Sequence, residues 1–276
     1  MTGKLYVVAT PIGNLGDITI RAIDILKNVD LVLAEDTRHS KKLFAHYEIR
    51  TPLRAFHEHN EKVKAEAIIN EINAGKSIAM ISDAGTPLIS DPGYHLVSSA
   101  KNVGLNVVPI PGPSAVITAL SSSGLASNRF TFFGFLPSKP LARLKFLQTK
   151  INLDETIIFY ESPKRILSAL EDMLEVFGES REVCLAKELT KSFETILTDR
   201  LPNLIDYLDA DISHQKGEFV ILVSSADKID LIESEHQLDK ILPILCSEMG
   251  ASKAAKLAAK ITGIDKKHCY KRATAL

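Results

Sequence analysis

The chain has 276 residues and a mass of 30.3 kDa, 45% of it hydrophobic and 24% charged, enough for one large domain or two modest ones around a buried core. Lysine plus arginine number 33 against 34 acids, a net charge of −1, which excludes a uniformly basic nucleic-acid coat and leaves only local basic patches. Ordinary glycine and proline usage excludes collagen-like and low-complexity chains, and Cys184, Cys246 and Cys269 are too scattered for a disulfide framework or a four-thiolate zinc site.

The opening MTGKLYVVATPIGN carries only about six apolar residues before Pro11, too short for a secretory h-region. No stretch approaches the ~20 apolar residues of a membrane span. The expectation is a soluble, cytoplasmic protein with no membrane partner.

Short β-branched runs then recur: LYVVAT (5–10), LVLAED (31–36), SIAMISD (77–83) and NVVPI (106–110). Between them, Ile18, Ala22, Ile23, Ile25, Leu26 and Val29 repeat at helical spacing, as do Val63, Ala67, Ile68 and Ile72. Strand and helix alternating at this spacing predict right-handed crossovers and a mainly parallel sheet. LVLA and IAMI are apolar without alternation, as strands covered on both faces are. From TFFGFLP (131–137) the pattern changes. TIIFYESP (156–163), a helix over 164–177, EVCLAKEL (182–189) and GEFVILVS (217–224) follow, with 191–201 returning as a hairpin, and together they predict a mixed sheet. The Ser/Gly/Asn cluster SSSGLASN marks a boundary. The fold class expected is therefore α/β, with an N-terminal α/β domain over 1–122 and a second over 123–225. A polar linker over 226–237 and a basic helical appendage over 238–276 complete the chain.

In open α/β sheets ligands bind beyond the carboxyl ends of the strands. There the sequence places TPIGNLGD, EDTRHS, SDAGTPLISDPG and PGPSA. Neither a GxxxxGK[ST] nor a GxGxxG phosphate loop is present. Any one of the four loops reads as a tight turn, but four at one sheet edge read as a polar cleft. Gly85 allows close backbone approach there, and Pro87 and Pro92 stiffen the loop. The pair His57–His59 in HEHN suits a metal only with a third ligand from His39, His95 or a carboxylate; it reads equally as a substrate-facing loop or as surface histidines, and no metal is assigned. The acids that follow strands, Glu35, Asp36, Glu161 and Glu188, each suit a base, a ribose acceptor or an arginine partner, and Asp36 with Arg38 is most simply an ion pair. Phe132, Phe133 and Phe135 read as half core, with base stacking open to one of them. Two stretches are basic. Lys139, Arg143, Lys145 and Lys150 form one; Lys253, Lys256, Lys260, Lys266, Lys267, Lys271 and Arg272, against Asp265 alone, form the other. In the latter, Ala254, Leu257, Ala258 and Ile261 mark an apolar helix face that Gly263 would end.

VATPIGNLGDIT, AEDTRHS, HEHNE, SDAGTPLISDPG, VVPIPGPSA, FGFLP, FYESPKR, AKELTKSFE and KGEFVILV occur in one order. In this the chain resembles the tetrapyrrole-methylase superfamily, and within it the 16S rRNA cytidine 2′-O-methyltransferases, from about Lys4 to Val223. The tail KAAKLAAKITGIDKKHCYK resembles the helical appendage of that branch. Two departures are Lys164, where ESP is usually followed by His, and Lys187, where Arg is usual; both keep positive charge.

The resemblance implies two α/β domains with S-adenosyl-L-methionine in the cleft between them, and a homodimer. It implies cofactor contacts from Pro11, Asp83, Ala84, Gly85, Thr86, Ile89, Ser114 and Ala115, with Tyr160 and Glu188 from further along the chain. The implied substrate is the ribose 2′-hydroxyl of a cytidine in the decoding centre of 16S rRNA, within the small ribosomal subunit. Methyl transfer is an in-line displacement helped by an acceptor for the hydroxyl proton, for which Asp36, Glu58 and Glu161 are the candidates. Asn14, Arg38 and His57 would position the substrate. Lys139, Arg143, Lys145, Lys164, Arg165, Lys256, Lys266 and Lys267 would contact RNA, and the cofactor's own methyl removes the need for a metal. Three alternatives stay open: a small-molecule methyltransferase of tetrapyrrole type, a non-catalytic RNA-binding module and a metallohydrolase using His57 and His59.

Overall fold

The computed structural model describes residues 3–226 and 228–276, the side chains of residues 58–60, 62 and 228–233 excepted. The chain divides into two compact units, Met1–Thr118 with Glu188–Glu194, and Ala119–Lys187 with Thr195–Leu276. Glu188–Glu194 thus packs with a unit from which it is remote in sequence.

The first unit is built on a five-stranded sheet of β1 (Lys4–Val8), β2 (Leu31–Ala34), β3 (Leu53–Ala55), β4 (Ile78–Ile81) and β5 (Asn106–Ile110), in the order β3-β2-β4-β1-β5. All its pairings are parallel. The helices α1 (Ile20–Asn28), α2 (Thr37–His46), α3 (Glu58–Asn73) and α4 (Tyr94–Asn102) connect the strands, and α5 (Ala115–Ser122) follows β5. The unbroken apolar runs are explained by two separate cores. Leu31, Leu33, Ile78 and Met80 pack with Ile68 and Ile72 of α3 and Leu96 of α4. Val32, Ala34, Ala79 and Ile81 pack with Ala22 and Leu26 of α1 and Leu43 and Phe44 of α2. Alternate residues of each strand therefore serve opposite faces. Helix starts are capped locally: Thr19 Oγ1 accepts from Ala22 N at 3.1 Å, and Asp36 Oδ1 from Arg38 N at 2.8 Å. β3 is absent from the sequence reading. It has three residues, follows Pro52 and pairs with β2 alone, so it offers no alternation long enough to detect.

The second unit holds β6 (Phe130–Phe135), α6 (Pro140–Gln148), β7 (Thr156–Glu161), α7 (Ile166–Phe177), β8 (Glu182–Lys187), β9 (Thr195–Arg200), α8 (Leu201–Ala210) and β10 (Phe219–Val223). Its sheet runs β6-β7-β10-β8-β9, with β6–β7 parallel and the remaining pairs antiparallel, including the β8–β9 hairpin. A mixed sheet is what the sequence predicts.

At the C-terminus α9 (Lys228–Glu248), α10 (Ala251–Thr262) and α11 (Lys266–Ala273) close over Leu238, Leu242, Ala255, Ala258, Cys269 and Ala273. Gly263 ends α10 in the left-handed conformation (φ 71°). The expected linker over 226–237 is corrected: α9 begins at Lys228. Polarity was the only mark of a linker there, and with no glycine or proline between Ala226 and Leu242 nothing breaks the helix. Among the described residues no helix is long and apolar enough to cross a membrane.

Candidate active site

Because every strand of the first sheet is parallel, the segments after β1, β2, β4 and β5 emerge at one edge, and they bond to one another there. Thr10 and Gly85 exchange backbone hydrogen bonds, Thr10 N to Gly85 O at 2.8 Å and Gly85 N to Thr10 O at 3.0 Å. Thr10 Oγ1 donates to Ser82 O (3.2 Å), and Thr86 Oγ1 donates to Pro113 O (3.0 Å). Asp36 N donates to Asp83 Oδ1 at 3.0 Å, joining the β2 and β4 loops. Pro11, Asn14, Asp36, Arg38, Asp83, Ala84, Gly85, Thr86, Ile89, Ser114 and Ala115 all lie on this edge, with His57 between β3 and α3.

The backbone of the β4 loop is unusual. Gly85 has φ +78°, and a β-carbon there would stand 3.3 Å from Ile12 Cγ2 and 3.8 Å from Pro113 O. Leu88 (φ 74°) and Ser90 (φ 67°) occupy the same left-handed region with side chains present, a conformation kept where surrounding structure over-determines it. Gly112 approaches Ala9 so closely that a β-carbon would stand 2.9 Å from Ala9 Cβ. The loops thus present backbone and small side chains.

Carboxylates dominate the electrostatics. Burial, and then the charge of Asp83, push the Glu35 carboxyl up. Burial pushes Asp91 up to about 6, with Glu35 and Asp83 adding to the rise and a hydrogen bond with Ser82 opposing it. Asp36 is the opposite case: hydrogen bonds from the Arg38 side chain and backbone hold it down at about 2. Both its oxygens are engaged, Oδ1 by Arg38 Nε at 3.1 Å and Oδ2 by Arg38 Nη2 at 2.8 Å. An acid so held is a weak proton acceptor. The side chains of Glu58 and His59 lie outside the described residues. Glu35 and Asp91 are the loop acids whose carboxyls are raised; the strand-end position marks Glu35 in the sequence, but no local pattern marks Asp91, whose rise comes from burial.

In the second unit Tyr160 and Glu161 end β7. Glu161 is buried; its Oε1 accepts from Ser162 N (2.6 Å) and Arg165 Nε (2.8 Å). Arg165 is therefore bound to a carboxylate within its own turn, while Lys164 is exposed. Tyr160 meets Phe132 and Phe135 edge-on, at ring-centroid distances of 4.8 and 5.6 Å. Glu188 pairs with Lys191 at 2.8 Å.

Of the basic residues, Lys139, Lys145, Lys256, Lys266 and Lys267 are exposed. Arg143 is corrected. Its side chain is only 2% exposed; Nε bonds Asp172 Oδ2 at 2.6 Å, and Nη2 bonds Ser168 O at 3.2 Å. Position on α6 turned it into the core, so it cannot reach a phosphate. Among the described residues no group of three or more His, Cys, Asp or Glu could hold a metal ion.

Residues 4–205 match the family model described as Tetrapyrrole (Corrin/Porphyrin) Methylases, and residues 232–276 match one described as RsmI C-terminal HTH domain. The chain is similar to Ribosomal RNA small subunit methyltransferase I of Vibrio cholerae, with 51% identity over 97% of this chain and 93% of that protein. It is likewise similar to the protein of that name from Pseudomonas aeruginosa, with 50% identity over 98% of this chain and 96% of that one. Among solved structures it resembles the methyltransferase CobJ (TM-score 0.61, 19% identity, 82% of this chain and 95% of that one). Diphthine synthase is comparable (TM-score 0.61, 15% identity, 81% of this chain and 90% of that one). At such identities the structural likeness is one of fold.

Proposed function

The chain belongs to the tetrapyrrole methylase family, in the branch whose curated members are named Ribosomal RNA small subunit methyltransferase I, and from that premise we propose that it transfers a methyl group from S-adenosyl-L-methionine to the ribose 2′-hydroxyl of a cytidine in the decoding centre of 16S rRNA. The observation that carries this reading is identity of about half over nearly the whole chain, tail included.

The first unit's residues fit the cofactor. Gly85 leaves backbone open where a β-carbon would crowd Ile12, and the carboxylates of Glu35, Asp83 and Asp91 complement a cation. Pro11, Asp83, Ala84, Gly85, Thr86, Ile89, Ser114 and Ala115 would hold it. When bound, the cofactor supplies a methyl group activated on a sulfonium. The protein's task is then to align the acceptor oxygen and exclude water. Asp36 serves as the anchor of Arg38 rather than as the base: two hydrogen bonds fix the guanidinium, 88% exposed, with its remaining donors available to an RNA phosphate.

The tail supplies docking. Lys253, Lys256, Lys260, Lys266 and Lys267 are exposed on α10 and α11, where phosphates would meet them, with Lys139, Lys145 and Lys164 as a second patch. The same reading takes the protein to be a cytoplasmic homodimer acting on the small ribosomal subunit. A small-molecule acceptor is disfavoured because residues 232–276, which match a separate family model, lie beyond the tetrapyrrole methylase match.

The test is transfer of tritiated methyl from S-adenosyl-L-methionine to 30S subunits from cells lacking the endogenous activity, with the labelled nucleotide identified after digestion. Label in a 2′-O-methylated cytidine is the expected result. Cofactor binding without label on 30S subunits or naked 16S rRNA would move the assignment to a small-molecule acceptor.

A further inference from the structure

The residues of α11 separate into three faces by their helical spacing. Cys269 and Ala273, one turn apart, are buried against α9 and α10. His268 and Arg272, likewise one turn apart, face α9. His268 Nε2 meets Glu235 Oε1 at 3.1 Å, Arg272 Nη1 meets Glu235 Oε2 at 3.3 Å, and Arg272 Nη2 meets Asp239 Oδ1. The third face holds Lys266, Lys267, Tyr270 and Lys271, all exposed. Tyr270 stands one turn beyond Lys266 and Lys267, its ring among the lysines and 47% exposed. Among the described residues no ion pair, side-chain hydrogen bond or ring contact engages these four side chains, and no acid follows Asp265 in the chain.

This face is unfavourable for the protein alone. Lys266 and Lys267 occupy the first turn of α11, where the helix dipole disfavours cations, and Lys267 and Lys271 are like charges one turn apart. The helix that carries them is nonetheless firmly set. Asp265 Oδ2 caps it, accepting from Lys267 N at 2.8 Å and His268 N at 3.2 Å. The short turn from Gly263 to Asp265 is fixed to the segment before β7. Asn152 Nδ2 donates to Thr262 O at 2.8 Å, and a β-carbon on Gly263 would stand 2.6 Å from Ile151 Cγ2. A bare cationic face on a preorganised helix complements a polyanion, and a ring set among its lysines complements the face of an unpaired base. In helix-turn-helix pairs the second helix is the one that reaches nucleic acid, and α11 is second to α10 here.

We infer that α11 recognises an unpaired stretch of 16S rRNA, with Tyr270 stacking on one exposed base while Lys266, Lys267 and Lys271 hold the phosphates beside it. The inference rests on the rRNA reading and adds a base contact to it, which phosphate contacts do not supply. Every base has a face to stack, so Tyr270 selects an unstacked base rather than a particular one.

The experiment measures binding of the full chain to 30S subunits from cells lacking the endogenous activity, over a range of salt. It compares wild type with Tyr270→Ala, Tyr270→Phe, Tyr270→Leu and Lys271→Ala, each also followed by urea unfolding and by calorimetric binding of S-adenosyl-L-methionine. Tyr270→Ala should bind 30S subunits roughly five- to hundredfold more weakly, the worth of one stacked base. It should keep the salt slope and cofactor affinity of wild type and be no less stable. Tyr270→Phe should bind like wild type, and Lys271→Ala should lower the salt slope by about one. Wild-type affinity in Tyr270→Ala overturns the inference. So does wild-type affinity in Tyr270→Leu, which would seat the ring in an apolar protein pocket, or a loss of stability in Tyr270→Ala that accompanies its loss of binding. A wild-type protein that binds cofactor but neither binds nor labels 30S subunits overturns the rRNA reading and this inference with it, an outcome distinct from an active wild type with an unaffected variant.

Discussion

Glu61 caps a helix that is not its own. Its Oε1 accepts from His95 N at 2.7 Å and Leu96 N at 3.2 Å, donors in the first turn of α4 that have no intrahelical acceptor. Gly93, the local N-cap residue of α4, has no side chain to do so. Glu61 sits in the first turn of α3 and is 4% exposed. The HEHNE segment is thereby tied to the end of the SDAGTPLISDPG loop, so part of what reads as a polar, chemistry-bearing motif is a structural clamp.

Glu61→Ala should lower stability by about 1–3 kcal/mol, since it removes a cap and leaves two donors unpaired. Glu61→Gln, which keeps an acceptor oxygen, should lose less. Urea unfolding at neutral pH measures both, and equal stability of the alanine variant and wild type would show that the clamp contributes nothing.

Asp91 makes stability pH-dependent. Its carboxyl titrates near 3.8 when unfolded and is raised to about 6 when folded. A raised carboxyl favours the folded state fully below the unfolded value and loses that contribution as pH rises through the folded one. Between pH 4 and 6 the group should therefore cost the folded state progressively more, by about 1–3 kcal/mol at the upper end once solvent screening of a partly exposed carboxyl is allowed for. Asp91→Asn should be more stable than wild type at pH 8 and indistinguishable at pH 3.5, and unfolding curves at the two pH values decide it.

The Arg143–Asp172 pair predicts a core phenotype for a residue that sequence puts in a basic patch. Asp172→Ala should destabilise by about 3–5 kcal/mol by leaving a buried guanidinium without its carboxylate. Lys145→Ala, on an exposed position of the same helix, should leave stability within about 0.5 kcal/mol. Unfolding midpoints of the two variants separate the roles.

Alanine at Lys256, Lys266 and Lys267 together should weaken binding to 30S subunits and reduce the slope of log affinity against log salt by about one for each phosphate no longer neutralised. Cofactor affinity should not change. A salt slope equal to that of wild type would remove α10 and α11 from the RNA surface.

Four strands of the first sheet, β1, β2, β4 and β5, are legible because each is an apolar run closed by turn residues, and the unbroken runs of β2 and β4 mark burial on both faces; three-residue β3 is not legible. Gly263 as a helix stop was legible for a similar reason: the left-handed cap is a local requirement. Arg143 and α9 were not. A basic residue on a helix looks the same whether it faces solvent or core, and a polar run with no breaker looks like a linker until its packed face is known.

What the sequence by itself determined is therefore whatever depends on near neighbours in the chain: periodicity, breakers, and the loop motifs by which the family is recognised. The tertiary structure alone decided which acids burial raises, where Glu61 points, and that Thr190 closes over Gly13 across 177 positions of chain. Burial and hydrogen-bond completion are set by groups brought together from distant segments, and no local pattern carries that information.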